Sequence, residues 1–257
     1  TPWEWHKPLF NYAKKLGITI FSSPFDTTAV DLLENLNAPA YKIASFEAID
    51  LPLIKYVAQT GKPLIISTGM ADKEEIDEAI DEARMAGSTE IAILHCVSSY
   101  PAPSEEYNLR TLVDMNQKLE LVTGLSDHTI DNVTAIASVA LGASIIEKHV
   151  TLNRNSGGPD DSFSLESNEL EELCIDSFKA WQALGDVNYD RKKSEQVNVK
   201  FRRSLYFIKD IKAGEVITNE NVRSIRPGFG LKPKFLDQVI GKRAKYNIKA
   251  GTSSSWE

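Results

Sequence analysis

A short apolar run followed by an amphipathic helical segment recurs along this chain, and the repeat constrains the fold more than any other feature. The apolar runs are residues 18–22, 40–45, 64–68, 91–96, 121–126 and 145–150. The helical segments that follow them are residues 26–36, 51–60, 73–86, 109–119, 130–142 and 168–184. Strands of near-continuous apolar character that alternate with amphipathic helices predict a parallel sheet covered by helices.

The number of strand–helix units separates two architectures. A closed barrel needs eight units and a doubly wound open sheet needs five or six, and six are visible here. No Gly-x-Gly-x-x-Gly follows any of the runs, so a dinucleotide-binding fold has no support. Polar residues stand at the ends of all six runs, and a barrel gathers such ends at one face. We therefore predict a TIM-type (β/α) barrel, in residues 1–185, whose first two units are missing.

The chain changes character after this partial barrel. Residues 186–202 are polar without apolar periodicity and predict a linker. Residues 203–257 contain short strand-like runs, at 205–208, 216–217 and 246–248, which are typical of a small β-rich domain. Residues 1–185 carry 13 Lys and Arg against 28 Asp and Glu, whereas residues 186–257 carry 16 against 8. A basic module can bind nucleic acid, but these charges are scattered, and closure over an anionic substrate fits them as well.

Cysteine content and hydropathy predict the compartment. Cys96 and Cys174 make no disulfide framework, so we expect a reducing cytoplasm. No apolar run approaches the roughly 20 residues that span a bilayer, and residues 1–9 lack a signal-peptide pattern, so we expect no membrane partner. Cys96 ends a predicted strand and is a candidate nucleophile, although free cysteine is more often a small buried apolar residue.

Two of the four histidines follow runs that predict neighbouring parallel strands. One helical segment separates His128 from His149, and a strand–helix–strand unit brings both C-terminal strand ends to the same edge. Two neutral imidazoles there can bind a divalent metal and leave positions open for substrate and water. The alternative is a pair of structural histidines, but Asp127 and Glu147 beside them favour the metal.

Hydroxyls, one lysine and carboxylates accompany the histidines at the predicted strand ends. They are Ser23, Ser45, Ser67, Thr68, Ser98, Tyr100, Ser126, Lys42, Glu47, Asp127 and Asp160. Several donors with one positive charge suit a phosphate or a carboxylate, and Glu47 is placed to act as a general base or to bind a sugar hydroxyl. Serines in such places also cap helices. The residues alone predict metal-assisted chemistry on a phosphorylated or carboxylated small molecule.

The motifs that carry these residues resemble those of the sialic acid synthase family. They are Ser-Ser-Pro-Phe-Asp (22–26), Tyr-Lys-Ile-Ala-Ser-Phe-Glu (41–47), Lys-Pro-Leu-Ile-Ile-Ser-Thr-Gly-Met (62–70), His-Cys-Val-Ser-Ser-Tyr-Pro (95–101), Gly-Leu-Ser-Asp-His-Thr (124–129), Glu-Lys-His (147–149) and Gly-Pro-Asp (158–160). Residues 203–257, with Arg-Ser-Leu-Tyr (203–206) and Arg-Pro-Gly (226–228), resemble that family's antifreeze-like (SAF) domain. The resemblance covers essentially the whole chain, in order.

The resemblance implies a transferase that condenses phosphoenolpyruvate with an acylamino sugar, giving a nonulosonic acid and phosphate by C–O cleavage. Phe46 and the residues after Asp160 favour the branch of the family that uses 2,4-diacetamido-2,4,6-trideoxy-altrose. N-acetylmannosamine and the legionaminate precursor stay open as alternative sugars. A non-catalytic carbohydrate-binding scaffold is the alternative from a different class.

The resemblance also implies a role for each site residue. His128 and His149 fall on the positions that bind Mn²⁺ or Mg²⁺, and with Glu47 they are the expected catalytic residues. The positions that bind phosphoenolpyruvate are Ser23, Lys42, Ser45, Ser67, Ser98 and Ser126, and the positions that bind the sugar are Glu47, Tyr100, Asp160 and Arg226. Ser23 and Ser98 stand where neuraminate synthases more often have Thr and Asn.

Arg226 matches a family arginine that reaches from the SAF domain into the active site of the other subunit, which implies a homodimer with swapped SAF domains. Family members carry two further strand–helix units before the first residue of this chain. We therefore expect the present segment to be inactive unless those units are supplied.

Overall fold

The computed structural model describes residues 1–256, which form two compact units that divide after Gly185. The helices of the first unit are α1 (Trp3–Leu16), α2 (Thr27–Asn35), α3 (Leu51–Ala58), α4 (Lys73–Met85), α5 (Arg110–Lys118), α6 (Val133–Ala140) and α7 (Ser167–Leu184). Its strands are β1 (Tyr41–Ile43), β2 (Leu64–Ser67), β3 (Ile91–Cys96), β4 (Val122–Asp127) and β5 (Ile145–Lys148). Within residues 1–256, no helix has the length and apolar character needed to cross a membrane.

The five strands of the first unit form one parallel sheet in the order β1–β2–β3–β4–β5. Each strand pairs with the next in the chain because a helix returns the backbone to the edge where the previous strand began. The register pairs Ser67 with Leu94 and Ser126 with Glu147, so the C-terminal strand ends lie along one edge. The sheet is a curved half of a (β/α) barrel, which confirms the predicted architecture.

The main core lies between this sheet and the helices α2 to α4. Tyr41 and Ile43 of β1 and Ile66 of β2 are fully or almost fully buried and belong to this cluster. Because side chains alternate along a strand, Lys42 lies on the face opposite to Tyr41 and Ile43. The apolar pattern of β1 therefore directs one lysine to the concave face of the sheet.

Two segments of the first unit differ from the sequence prediction. The predicted strand at residues 18–22 is reduced to a single bridge between Ser22 and Tyr41, because β1 begins only at Tyr41 and residues 18–21 therefore have no strand beside them. The helical segment predicted at residues 130–142 forms α6 only from Val133, since Asp131 turns the backbone by accepting the Val133 amide at 2.9 Å.

The second unit is a small β-rich body. Its strands β6 (Ser204–Phe207) and β7 (Val222–Ile225) are antiparallel, and α8 (Leu236–Val239) packs beside them. The predicted strands at residues 216–217 and 246–248 are isolated bridges, to Arg243 and Ile211, while β7 was not predicted. Residues 193–201, in the segment predicted as a linker, form a 3₁₀ helix.

Candidate active site

Polar side chains occupy the C-terminal ends of the five strands, where an apolar barrel core gives way to solvent. Lys42, Ser67 and Ser126 are all buried despite their polarity. Buried polar groups normally have hydrogen-bond partners, yet the Ser67 hydroxyl has none within residues 1–256. An unpaired buried hydroxyl at the mouth of a barrel is available to a ligand.

The strand-end serines do not act as helix caps. The helices that follow the strand ends begin at other residues, and their N-caps are Asp26, Asp50, Asp72, Leu109, Asn132 and Glu166. Asp72, for example, forms a capping box with Glu75 at the start of α4. The hydroxyls of Ser45, Ser67, Ser98 and Ser126 therefore do not cap these helices.

Three polar side chains are linked across the sheet: Lys42 on β1, Glu147 on β5 and Ser126 on β4. The Lys42 ammonium lies 3.3 Å from Glu147 Oε1, and the Ser126 hydroxyl donates to the same oxygen at 2.7 Å. From the sequence, Glu147 is only support for a metal at the histidines, whereas in the structure its carboxylate lies between two residues that the resemblance assigns to phosphoenolpyruvate. Its carboxylate holds both donors in place and neutralises the lysine.

A second group of donors surrounds Gly69, in the turn after β2. Its amide donates to Ser45 Oγ at 3.1 Å. A Cβ atom built on Gly69 would lie 2.1 Å from Ser98 Oγ, 2.8 Å from Ser45 Oγ and 3.1 Å from Cys96 Sγ. No residue with a Cβ fits there without displacing its neighbours. Ser45, Ser98 and Cys96 thus converge on a glycine backbone, and we name Ser45, Ser67, Gly69 and Ser98 the hydroxyl cradle.

The Cys96 side chain borders the hydroxyl cradle. Its thiol is 3.5 Å from Ser45 Oγ and 3.9 Å from His128 Nδ1. Burial alone would raise the pKa of this thiol, but hydrogen bonds with His128 and Ser45 lower it overall. The thiol therefore has polar partners at the site, Ser45 and His128.

Glu47 ends a short 3₁₀ turn, Ser45–Glu47, at the end of β1. Its Oε2 atom is buried and lacks a hydrogen-bond partner in residues 1–256. Burial raises the pKa of this carboxyl, the nearby Asp50 charge adds to that rise, and the Lys42 ammonium opposes it. A carboxyl whose pKa is raised by burial is a candidate for proton transfer to or from a substrate.

His128 and His149 lie side by side, with ring centres 5.3 Å apart. Tyr100 packs on both of them, its ring centre 4.3 Å from that of His128 and 5.9 Å from that of His149. Phe163 completes the group, 5.1 Å from His149. Sequence reasoning missed Phe163, whose only signal was its position shortly after Gly-Pro-Asp. The four rings form one wall of the site.

Each histidine has one ring nitrogen that contacts a protein oxygen. His128 Nδ1 is 2.8 Å from the Val97 carbonyl oxygen, which can only accept, so Nδ1 carries the proton. His149 Nδ1 lies 3.5 Å from Asp160 Oδ2. This arrangement is usual for metal-binding imidazoles, whose second nitrogen is fixed by an outer partner.

These residues fit a divalent metal that is only partly coordinated by protein. Two imidazoles are present, but residues 1–256 contain no group of three His, Cys, Asp or Glu that could hold an ion. Open metal sites of enzymes leave positions for water and substrate. His128 and His149 would supply two nitrogen ligands through Nε2, and the remaining ligands would come from solvent and substrate.

A buried ion pair lies directly behind the two histidines. Lys148 Nζ is 2.9 Å from Asp127 Oδ2, and the two side chains are 4% and 0% exposed. Lys148 also donates to the carbonyl oxygens of Thr129 and Asp131. The pair joins the ends of β4 and β5, and so it fixes the strand ends from which His128 and His149 extend.

The remaining predicted site residues lie at different places. Ser23 is half-buried directly after the bridge residue Ser22, beside β1. Asp160 is exposed and touches only the His149 side of the group. Arg226 belongs to the second unit, where it is exposed directly after β7.

Comparisons with known proteins identify the family of each unit. A model of the NeuB family matches residues 1–189, and a model of the SAF domain matches residues 202–256. The chain is 42% identical over 262 residues to a pseudaminic acid synthase of Helicobacter pylori, covering 99% of this chain and 75% of that protein. It is 41% identical to an N,N'-diacetyllegionaminic acid synthase of Campylobacter jejuni, covering 95% and 74%.

A solved structure shares the fold as well. The N-acetylneuraminic acid (sialic acid) synthetase of Leptospira borgpetersenii, in complex with citrate, superposes with a TM-score of 0.73 at 31% identity. The match covers 77% of this chain and 70% of that one.

Proposed function

This chain belongs to the NeuB family, and we propose that it is a pseudaminic acid synthase, which condenses phosphoenolpyruvate with 2,4-diacetamido-2,4,6-trideoxy-altrose to give pseudaminate and phosphate. The observation that carries the proposal is the hydroxyl cradle beside Lys42, at the same strand ends as the two histidines. That arrangement provides an anion site and a carbonyl-polarising site within one barrel mouth.

Phosphoenolpyruvate suits the cradle and the neighbouring polar side chains. Its carboxylate and phosphate together need several donors, and Ser45, Ser67 and Ser98 offer hydroxyls while Lys42 and Ser126 offer the donors that Glu147 holds in place. A ligand oxygen there would give the buried Ser67 hydroxyl the hydrogen-bond partner that it lacks among residues 1–256. Ser23 is close to β1 and would extend this site.

The sugar would lie against the aromatic wall. Tyr100 and Phe163 offer apolar surface to acetamido groups, while Glu47 and Asp160 accept hydrogen bonds from hydroxyls. This position brings the aldehyde of the open-chain sugar near His128 and His149. The two substrates then approach each other across the strand ends.

The proposed reaction has three steps. C3 of phosphoenolpyruvate attacks the sugar aldehyde, a C–C bond forms, and the aldehyde oxygen takes a proton, for which the Glu47 carboxyl is the proposed donor. The attack leaves an oxocarbenium centre at C2, to which water adds with release of one proton, giving a tetrahedral intermediate. The C2–O bond to phosphate then breaks, the C2 hydroxyl passes its proton to the departing phosphate, and a C2 ketone is formed. His128 and His149 would hold a divalent ion, which would polarise the aldehyde oxygen when bound.

The choice of sugar rests on similarity and on one residue. The chain is 42% identical to a pseudaminic acid synthase and 41% identical to a diacetyllegionaminic acid synthase, so identity alone does not choose. Phe46 precedes Glu47 and is 60% exposed. We propose that this apolar side chain faces carbon 6 of the sugar, which disfavours N-acetylmannosamine with its polar 6-hydroxyl. Both diacetamido sugars lack that hydroxyl, so the substrate panel below decides between them.

The second unit would complete the site in a dimer. We propose a homodimer in which Arg226 of one subunit reaches the sugar site of the other, with the SAF domains exchanged. The net positive charge of residues 186–257 opposes the negative charge of residues 1–185, which favours such docking. The expected compartment is the cytoplasm, where phosphoenolpyruvate is made.

The experiment is phosphate release from phosphoenolpyruvate with Mn²⁺ and each of the three candidate sugars in turn. It is run on the chain as given and on the chain extended at its N terminus by two strand–helix units of a relative. Release with the altrose sugar alone, lost in a His128→Ala/His149→Ala variant, supports the proposal. Release with N-acetylmannosamine or the legionaminate precursor refutes the choice of the altrose sugar as substrate. Absence of release from a folded extended chain that binds sugar favours a carbohydrate-binding scaffold.

A further inference from the structure

The loop between β3 and α5 holds nearly every polar group of His128. The Val97 carbonyl accepts from the ring at Nδ1, 2.8 Å away, and the Ala102 amide donates to the His128 carbonyl at 3.0 Å. The His128 amide donates to the Tyr107 hydroxyl at 2.7 Å. Of the polar atoms of His128, only Nε2 is left without a hydrogen-bond partner among residues 1–256, and Nε2 is the atom that a ligand would meet.

Tyr107 is the one side chain in this arrangement that can be altered without changing the backbone. It is completely buried, and its hydroxyl also donates to the Ser126 carbonyl at 3.3 Å. Its own carbonyl oxygen lies 2.5 Å from His95 Nε2, which anchors the residue to β3. One phenol therefore connects the backbone of two proposed site residues, Ser126 and His128, to the neighbouring strand.

We propose that Tyr107 is a positioning residue, which fixes the end of β4 so that the His128 imidazole and the Ser126 hydroxyl face the site together. The inference rests on the proposed function, because it makes Tyr107 necessary for tight binding of the proposed metal by His128. Without the phenol oxygen, the buried His128 amide loses its acceptor, and an unpaired buried donor is costly enough to shift the backbone. Displacements of about 1 Å at such sites are costly to activity.

The chain offers a matched control in Tyr41. It is also completely buried, and its hydroxyl donates to Glu34 Oε1 at 2.6 Å and faces the Val30 carbonyl at 3.4 Å. It lies on the helix-covered face of the sheet and touches none of the proposed site residues with that hydroxyl. Tyr41→Phe therefore removes a comparable buried hydrogen bond from the same unit at a place remote from His128.

The experiment compares Tyr107→Phe with Tyr41→Phe in the whole chain, with two readouts. Mn²⁺ affinity is measured by titration calorimetry, and hydrogen exchange of the His128 amide is measured in the metal-free protein. We expect Tyr107→Phe to weaken Mn²⁺ binding about 10- to 100-fold, the range seen when an outer partner of a metal ligand is lost, and to speed exchange at His128. Tyr41→Phe is expected to change neither.

Three results would overturn the inference. Unchanged Mn²⁺ affinity in Tyr107→Phe would do so, as would equal weakening in both variants, which indicates a general loss of stability. Unchanged exchange at His128 would also do so. If the unaltered chain does not bind Mn²⁺, the proposed metal site is wrong. Hydrogen exchange of the His128 amide then decides alone whether Tyr107 fixes this segment.

Discussion

Replacement of Lys148 by methionine should destabilise the first unit more than any other single lysine substitution near the site. The Asp127 side chain is 0% exposed, so the variant leaves a carboxylate buried without its ammonium partner. Lys148 also donates to the carbonyl oxygens of Thr129 and Asp131, and these acceptors lose their donor. Removing one member of a buried pair costs about 3–5 kcal/mol.

The double variant Asp127→Asn/Lys148→Met should recover much of that loss. The introduced amide would keep an oxygen for the Thr129 amide, which donates to Asp127 Oδ1 at 2.9 Å in the unaltered protein. Replacing both members of a buried pair by neutral groups of similar size is often close to neutral. We therefore expect the losses of unfolding free energy in the two single variants to be strongly non-additive in the double variant.

Urea unfolding, followed by circular dichroism, measures the four free energies of the cycle. The control is Lys62→Met, since the Lys62–Glu34 pair is 26% and 40% exposed, and such exposed pairs contribute about 0–1 kcal/mol. A cost for Lys148→Met no larger than that for Lys62→Met would refute the reasoning. Additive costs in the double variant would refute it too.

Three further predictions concern the cradle, the metal and acid stability. Gly69→Ala should weaken phosphoenolpyruvate binding at least tenfold by calorimetry, because its Cβ would lie 2.1 Å from Ser98 Oγ; unchanged affinity would contradict the cradle. His149→Ala should abolish Mn²⁺ binding while leaving the circular dichroism spectrum intact, and retained binding would contradict the two-imidazole site. Burial alone would raise the pKa of Glu34, but hydrogen bonds from Lys62 and Tyr41 lower it overall, so its stabilisation is present above pH 4.5 and lost as pH falls through the lower folded pKa. Glu34→Gln should therefore flatten the acid side of the stability curve, and an unchanged curve would contradict that assignment.

The sequence predicted the strands of the sheet well because their signal is local. Continuous apolar runs such as Ile91–Cys96 are buried from both sides, and only a parallel sheet covered by helices explains them. The segment at residues 18–22 carried the same apolar signal but pairs only at Ser22. Pairing depends on where the neighbouring strand β1 begins, which composition alone does not show.

The site could be predicted only in part, for a related reason. Strand-end position was enough to nominate Lys42 and Ser126, yet their shared partner Glu147 depends on the register between β4 and β5. Tyr107 lies in a loop, and no periodicity marks it, although its hydroxyl meets the His128 amide. Contacts between elements distant in sequence need coordinates, whereas residue types at strand ends do not.

The central claim is that these strand ends bind phosphoenolpyruvate and break its C–O bond. The direct measurement uses phosphoenolpyruvate labelled with ¹⁸O in the bridging oxygen, together with the altrose sugar, Mn²⁺ and the N-terminally extended chain. The account predicts that the released phosphate carries the label, because the C2–O bond breaks. Unlabelled phosphate, with ¹⁸O retained in the sugar acid, would show P–O cleavage and contradict the account.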